Sequence, residues 1–111
     1  MRDNTEKLRD IIEAIERIDR YAVLGKTNFE QNELVQVWMT QNLQIIGEAS
    51  RALSAEFREK HPEIPWVQII GMRNILVHNY FEIDVEIVWS VVEKRLPELK
   101  SQIEEILSAM S

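Results

Sequence analysis

The chain has no cysteine. That excludes disulfides and thiolate metal sites and makes the reducing cytoplasm the expected setting. Histidine is nearly absent too, with two in 111 residues, so a histidine-rich metal site is poorly supported. Glycine and proline number three each, a scarcity that suits an all-helical protein. No apolar run approaches the roughly 20 residues needed to cross a bilayer. The start, MRDNTEKLRD, is too polar for a signal peptide. Gly-rich phosphate loops, nucleophile elbows and dinucleotide fingerprints are missing as well. The expectation is a soluble cytoplasmic protein without a membrane segment, a metal site or a cofactor.

What is present is enough for a real core. Apolar residues make up 45% of the chain and charged residues 29%, which together with three tryptophans argues against disorder. The length suits one domain spanning residues 1–111. The net charge of −6 disfavours sequence-blind nucleic-acid binding, which relies on many Lys and Arg contacts to phosphates. The charge is uneven, however. Residues 41–80 carry four basic and four acidic side chains, against three and seven in residues 81–111. An acidic body with a neutral centre can hold a small, focused anion site.

Hydrophobic spacing predicts an all-α, up-and-down bundle of four to five helices. Asp3, with Glu6 three residues on, marks the start of a first helix carrying Leu8, Ile11, Ile12, Ile15 and Ile18. LGKTNF at 24–29 reads as a break. A long second helix is expected over residues 30–59, with Leu34, Val37, Trp38, Leu43, Ile46, Ala49, Leu53 and Phe57 on its apolar face. Gly47 inside it marks a site of close helix packing. KHPEIP at 60–65 stops that helix, and Pro65 suits the first turn of a third, expected from Trp66 to Asn79. Asp84 caps a fourth, whose stripe is Ile87, Val88, Val91, Val92 and Leu96. Pro97 kinks or breaks it before a final helical stretch.

The third helix ends in MRNILVHNY, residues 72–80. On a regular helix Arg73 and His78, five residues apart, lie about 140° apart around the axis. Both reach one small ligand if the arginine swings round, if the helix ends near His78, or if a second copy of the helix joins across a two-fold axis. An arginine and a histidine suit RNA cleavage by its own 2′-hydroxyl. The imidazole moves a proton, and the guanidinium holds the phosphate and its developing charge. Asn74 is placed to support this, and Tyr80 to stack on a base or donate to phosphate. The same spacing also suits a purely structural role. A histidine in a last helical turn can bond terminal carbonyls, with Asn79 as cap and Tyr80 in the core. Spacing alone leaves both open. His61, between Lys60 and Pro62, is a loop residue, and the three tryptophans read as core or dimer anchors.

Arg73-Asn74-x-x-x-His78-x-Tyr80 resembles the Arg-x4-His-x-Tyr motif of the HepT toxins, a branch of the HEPN domains. The likeness extends from NLQIIGEA through HPEIPW to the DVEIVW after the motif, and to LPELKSQIEEIL near the end. The resemblance implies a homodimeric HEPN-like bundle whose motif helices meet in a cleft. It implies a metal-independent ribonuclease toxin with Arg73 and His78 catalytic and Asn74 and Tyr80 supporting. It also implies a partner, a minimal nucleotidyltransferase antitoxin of the MntA type, which transfers AMP to Tyr80. The other outcome for the same cleft is a non-catalytic module that binds nucleotide or RNA and partners a nucleotidyltransferase.

Overall fold

The computed structural model describes residues 3–79 and 82–110, and the side chains of these except residues 73–79 and 82. The expected all-α bundle is what forms, with one short hairpin inserted. The elements are α1 (Asn4–Ala22), α2 (Gly25–Gln31), α3 (Glu33–Ala52), α4 (Ala55–Lys60), α5 (Trp66–Leu76), β1 (Val77–Asn79), β2 (Glu82–Ile83), α6 (Val85–Ser90), a π-helical turn (Val91–Arg95) and α7 (Leu96–Met110).

Four short polar side chains set the helix starts. Asp3, Asn32, Ser54 and Asp84 each accept a hydrogen bond from the backbone N–H three residues on, at 3.0–3.2 Å. Such caps satisfy N–H groups that the helix itself leaves unpaired. Asp3 and Asp84 fall where the sequence predicts them. Asn32 and Ser54 fall inside the helix expected over residues 30–59 and divide it. Leu53 and Ser54 are both extended, with ψ of 147° and 149°, so α3 stops and α4 starts afresh. The expected break at 24–29 is also corrected. The reversal occurs at Val23–Gly25, where Gly25 takes φ of 90°, a conformation that favours glycine. Residues 25–31 are then helical.

The core is built on α1 and α3, which run antiparallel: Asn4, opening α1, pairs with Ser54, just past the end of α3, through two hydrogen bonds of 3.2 and 3.3 Å. Leu8, Ile11, Ile15 and Ile18 are buried as expected, and so is Ala14. On α3 the expected face is partly wrong. Leu43, Ile46 and Ala49 are buried, but Leu34, Val37 and Trp38 are exposed, and Val35 and Met39 take their place inside. The reason is phase. Val35, Met39, Leu43 and Ile46 form one continuous stripe, and a Trp or Leu just beside it looks equally apolar in a sequence window.

Pro97 does not break the last helix. It lacks an N–H, and its ring crowds the carbonyl four residues back. The turn before it widens instead, and Leu96 N–H donates to the Val91 carbonyl, five residues earlier. This is the π-type bond, and residues 85–110 continue as one helical rod. Among the described residues, no helix is long and apolar enough to cross a membrane.

Candidate functional site at the end of α5

Three contacts fix α5 from below. The Pro65 carbonyl accepts from Ile69 N–H at 3.0 Å. The Trp66 indole N–H donates to the His61 carbonyl at 3.0 Å, and the Phe57 ring lies 4.7 Å from the His61 ring. His61 is thus a structural joint between α4 and α5. Its Nδ1 also lies 3.4 Å from a Glu63 carboxylate oxygen. From the side, α3 holds α5 at Gly47. A β-carbon there would stand 3.1 Å from the Ile69 carbonyl oxygen, closer than ordinary packing allows. The glycine marks close helix packing, as its place in the sequence predicts.

The helix expected to reach Asn79 stops at Leu76. Val77–Asn79 is extended and pairs antiparallel with Glu82–Ile83, Val77 facing Ile83 and Asn79 facing Glu82. Val77 is β-branched, and His78 and Asn79 are weak helix formers, so the segment gives up little by leaving the helix. Arg73 and Asn74 therefore sit in the last turn of α5 and His78 in β1. The 140° separation of a regular helix does not apply between Arg73 and His78, because the helix ends between them. Tyr80 lies outside the described residues, as do the side chains of Arg73, Asn74 and His78.

A groove of about 620 Å³ runs between α5 and the rod of α6 and α7. Ile69, Met72, Ile87, Val91, Leu96 and Leu99 line its apolar part. Met72 directly precedes Arg73, so one end of the groove adjoins the motif. The π turn contributes Val91 and Arg95 to the wall. The sequence reading missed this groove. Its one available signal was Pro97 directly after a helical stripe. Trp66 and Trp89 belong to the core, and Trp89 packs on Phe29 with ring centroids 5.3 Å apart. Trp38 lies mostly outside it. Among the described residues, no group of three or more histidine, aspartate or glutamate side chains is placed to hold a metal ion.

The helical bundle, with an arginine in the last turn of one helix and a histidine in the strand after it, is of the HEPN-like type. The family model described as "Ribonuclease HepT-like" matches residues 11–106. The chain belongs to this HepT-like family. It is 38% identical over 102 residues to "Putative RNase MJ1380" of Methanocaldococcus jannaschii, covering 92% of this chain and 88% of that protein. It is 40% identical over 90 residues to "Putative RNase TTE0752" of Caldanaerobacter subterraneus, covering 81% and 80%. It is 37% identical over 106 residues to "Probable ribonuclease HepT" of Thermococcus cleftensis, covering 95% and 96%. No solved structure matches at a comparable level of significance.

Proposed function

We propose that this protein is a cytoplasmic ribonuclease toxin that cleaves RNA without a metal ion. The observation that carries the reading is the match to the HepT-like ribonuclease family across residues 11–106, which takes in the whole Arg73–Tyr80 motif. The end of α5 at Leu76 supports it further. A chain that turns between Arg73 and His78 meets one of the conditions under which both reach a single phosphate.

In the proposed reaction, a ribose 2′-hydroxyl loses its proton to an imidazole, and its oxygen attacks the adjacent phosphorus. The P–O5′ bond breaks, and the departing oxygen takes up a proton. The products are a 2′,3′-cyclic phosphate and a 5′-hydroxyl. His78 moves a proton, since imidazole exchanges one near neutral pH. Arg73 holds two phosphate oxygens in a forked contact and stabilises the five-coordinate state. Asn74 supports the phosphate or the imidazole. These groups cover both the charge stabilisation and the proton transfers, so the chemistry asks for no cation. The working unit is a homodimer of the single 1–111 domain, with two Arg/His sets in a shared cleft.

The proposed regulator is a minimal nucleotidyltransferase antitoxin of the MntA type. It transfers AMP from ATP to the Tyr80 hydroxyl and releases pyrophosphate. The added phosphate and nucleotide beside Arg73 and His78 occupy the anion site and block RNA. Incubating the purified protein with RNA in excess chelator tests the reading. Cleavage that disappears in His78→Ala supports it. Equal cleavage by that variant, or RNA binding without cleavage by the wild type, overturns it. The second result points instead to a binding module.

A further inference from the structure

The groove between α5 and the α6–α7 rod has no role in the chemistry assigned above, yet it leads to it. The two walls run in opposite directions. Gln102, late in α7, donates from its side-chain amide to the carbonyl of Glu63, just before α5, at 3.4 Å. This bond crosses one end of the groove, and Met72 stands at the other. Along α5 the wall is a helical row: Pro65 and Ile69 are four residues apart, and Gln68 and Met72 run beside them. Arg73 is the next position after Pro65 and Ile69 in that row, about 6 Å along the axis from Ile69. A strand whose phosphate lies at Arg73 therefore has a neighbouring base within reach of the groove.

The opposite wall is made by the π turn. On a regular helix Leu99 would stand about 80° round from Val91. The extra residue of the π turn takes up about that angle, so Val91 and Leu99 fall on one line and both face the groove. The space of about 620 Å³ is of the size that takes a small organic ligand.

The lining selects the occupant. Its floor is aliphatic, from Ile69, Ile87, Val91 and Leu99, and suits the flat face of a ring. Hydrogen-bonding groups stand around it. The Gln68 and Gln102 amides and the Ser90 hydroxyl can each donate and accept. Among the described lining residues, the carboxylates of Glu63 and Glu98 outnumber the one guanidinium, that of Arg95. Two carboxylates disfavour a phosphate here, but they accept from amino groups, as a carboxylate does from cytosine N4. Arg95 offers a planar cation on which a base can stack.

We propose that this groove is a base-binding subsite. It takes an unpaired base with an exocyclic amino group from the nucleotide adjoining the scissile phosphate, and it disfavours uracil, which carries a carbonyl in place of the amine. Gln68, Glu98 and Gln102 are its specificity-determining residues. The subsite rests on the ribonuclease reading for the phosphate beside it, and the test separates the two.

Hexamers of 2′-O-methylcytidine and of 2′-O-methyluridine probe the groove without being cut, because the attacking hydroxyl is blocked. In methyl NMR of the full chain, the cytidine hexamer should shift Ile69, Met72, Ile87 and Val91, while Leu8 and Ile15 of α1 stay still. It should bind at least about tenfold tighter than the uridine hexamer. Gln68→Trp and Ser90→Trp fill the groove from exposed positions. Each should weaken cytidine binding at least about tenfold with unchanged helical circular dichroism. Groove methyls that stay still, equal affinity for the two hexamers, or unaltered binding by either folded variant overturns the proposal. If the wild type cuts a longer RNA while these methyls stay still, the base site falls and the ribonuclease reading stands. If the methyls shift and no RNA is cut, the base site stands and only the ribonuclease reading falls.

Discussion

Gly47 of α3 and Ile69 of α5 approach so closely that a β-carbon on the glycine would stand 3.1 Å from the isoleucine's carbonyl oxygen. The obstacle is backbone within a helix, so it cannot swing aside as a side chain would. The branched Gly47→Val should therefore push α5 away from α3 and destabilise the fold by about 2 kcal/mol. At this chain length that lowers the melting temperature by about 8 °C. Because α5 carries Arg73, RNA cleavage should fall even at temperatures where the variant is folded. Calorimetry and a cleavage assay on the same sample check both.

Helix starts provide a second measurement. Ser54→Ala and Asp84→Ala each remove an acceptor for a backbone N–H, that of Phe57 and of Ile87. Each should cost about 1 kcal/mol in urea unfolding. Gly at either position should cost only a few tenths. The two sites lie on separate helices, so the double variant should lose the sum.

His78→Ala should reduce cleavage at least about 100-fold, the contribution of a proton-transferring side chain. Arg73→Lys should also be impaired, because an ammonium cannot grip two phosphate oxygens in a planar fork. Circular dichroism and melting temperature should stay near wild type in both. Initial rates on one RNA, at equal protein concentration, distinguish chemistry from folding.

Tyr80→Phe keeps the ring and removes the hydroxyl that the antitoxin is proposed to modify. Co-expression with the nucleotidyltransferase, followed by intact-mass measurement, should show AMP on the wild type and none on the variant. The variant should still cleave RNA after this treatment, while the wild type should not. An unmodified wild type beside an active transferase would remove Tyr80 from the proposed switch.

The motif itself was legible in the sequence because its residue types and spacing are local facts, while its spacing alone left a catalytic and a structural role both open. The groove beside it was not legible. It forms where α5 meets a rod widened at Val91–Arg95, and a proline gives only a weak sign that a helix will widen instead of breaking. The α3 surface was misread for a related reason. Leu34 and Trp38 are as apolar as Val35 and Met39, and periodicity cannot say which of two adjacent stripes faces the core.

By itself, the sequence determined the helical class, the polar caps at Asp3 and Asp84, the place of Gly47 and the family, all of which depend on short-range patterns of residue type. Tertiary structure decided where α5 ends, that Asn32 and Ser54 divide a long apolar run, and which face of α3 stays outside. The first depends on β1 finding β2 to pair with, the second on caps that compete with a continuous helix, and the third on a competition between alternative burials that is resolved only when the helices pack together.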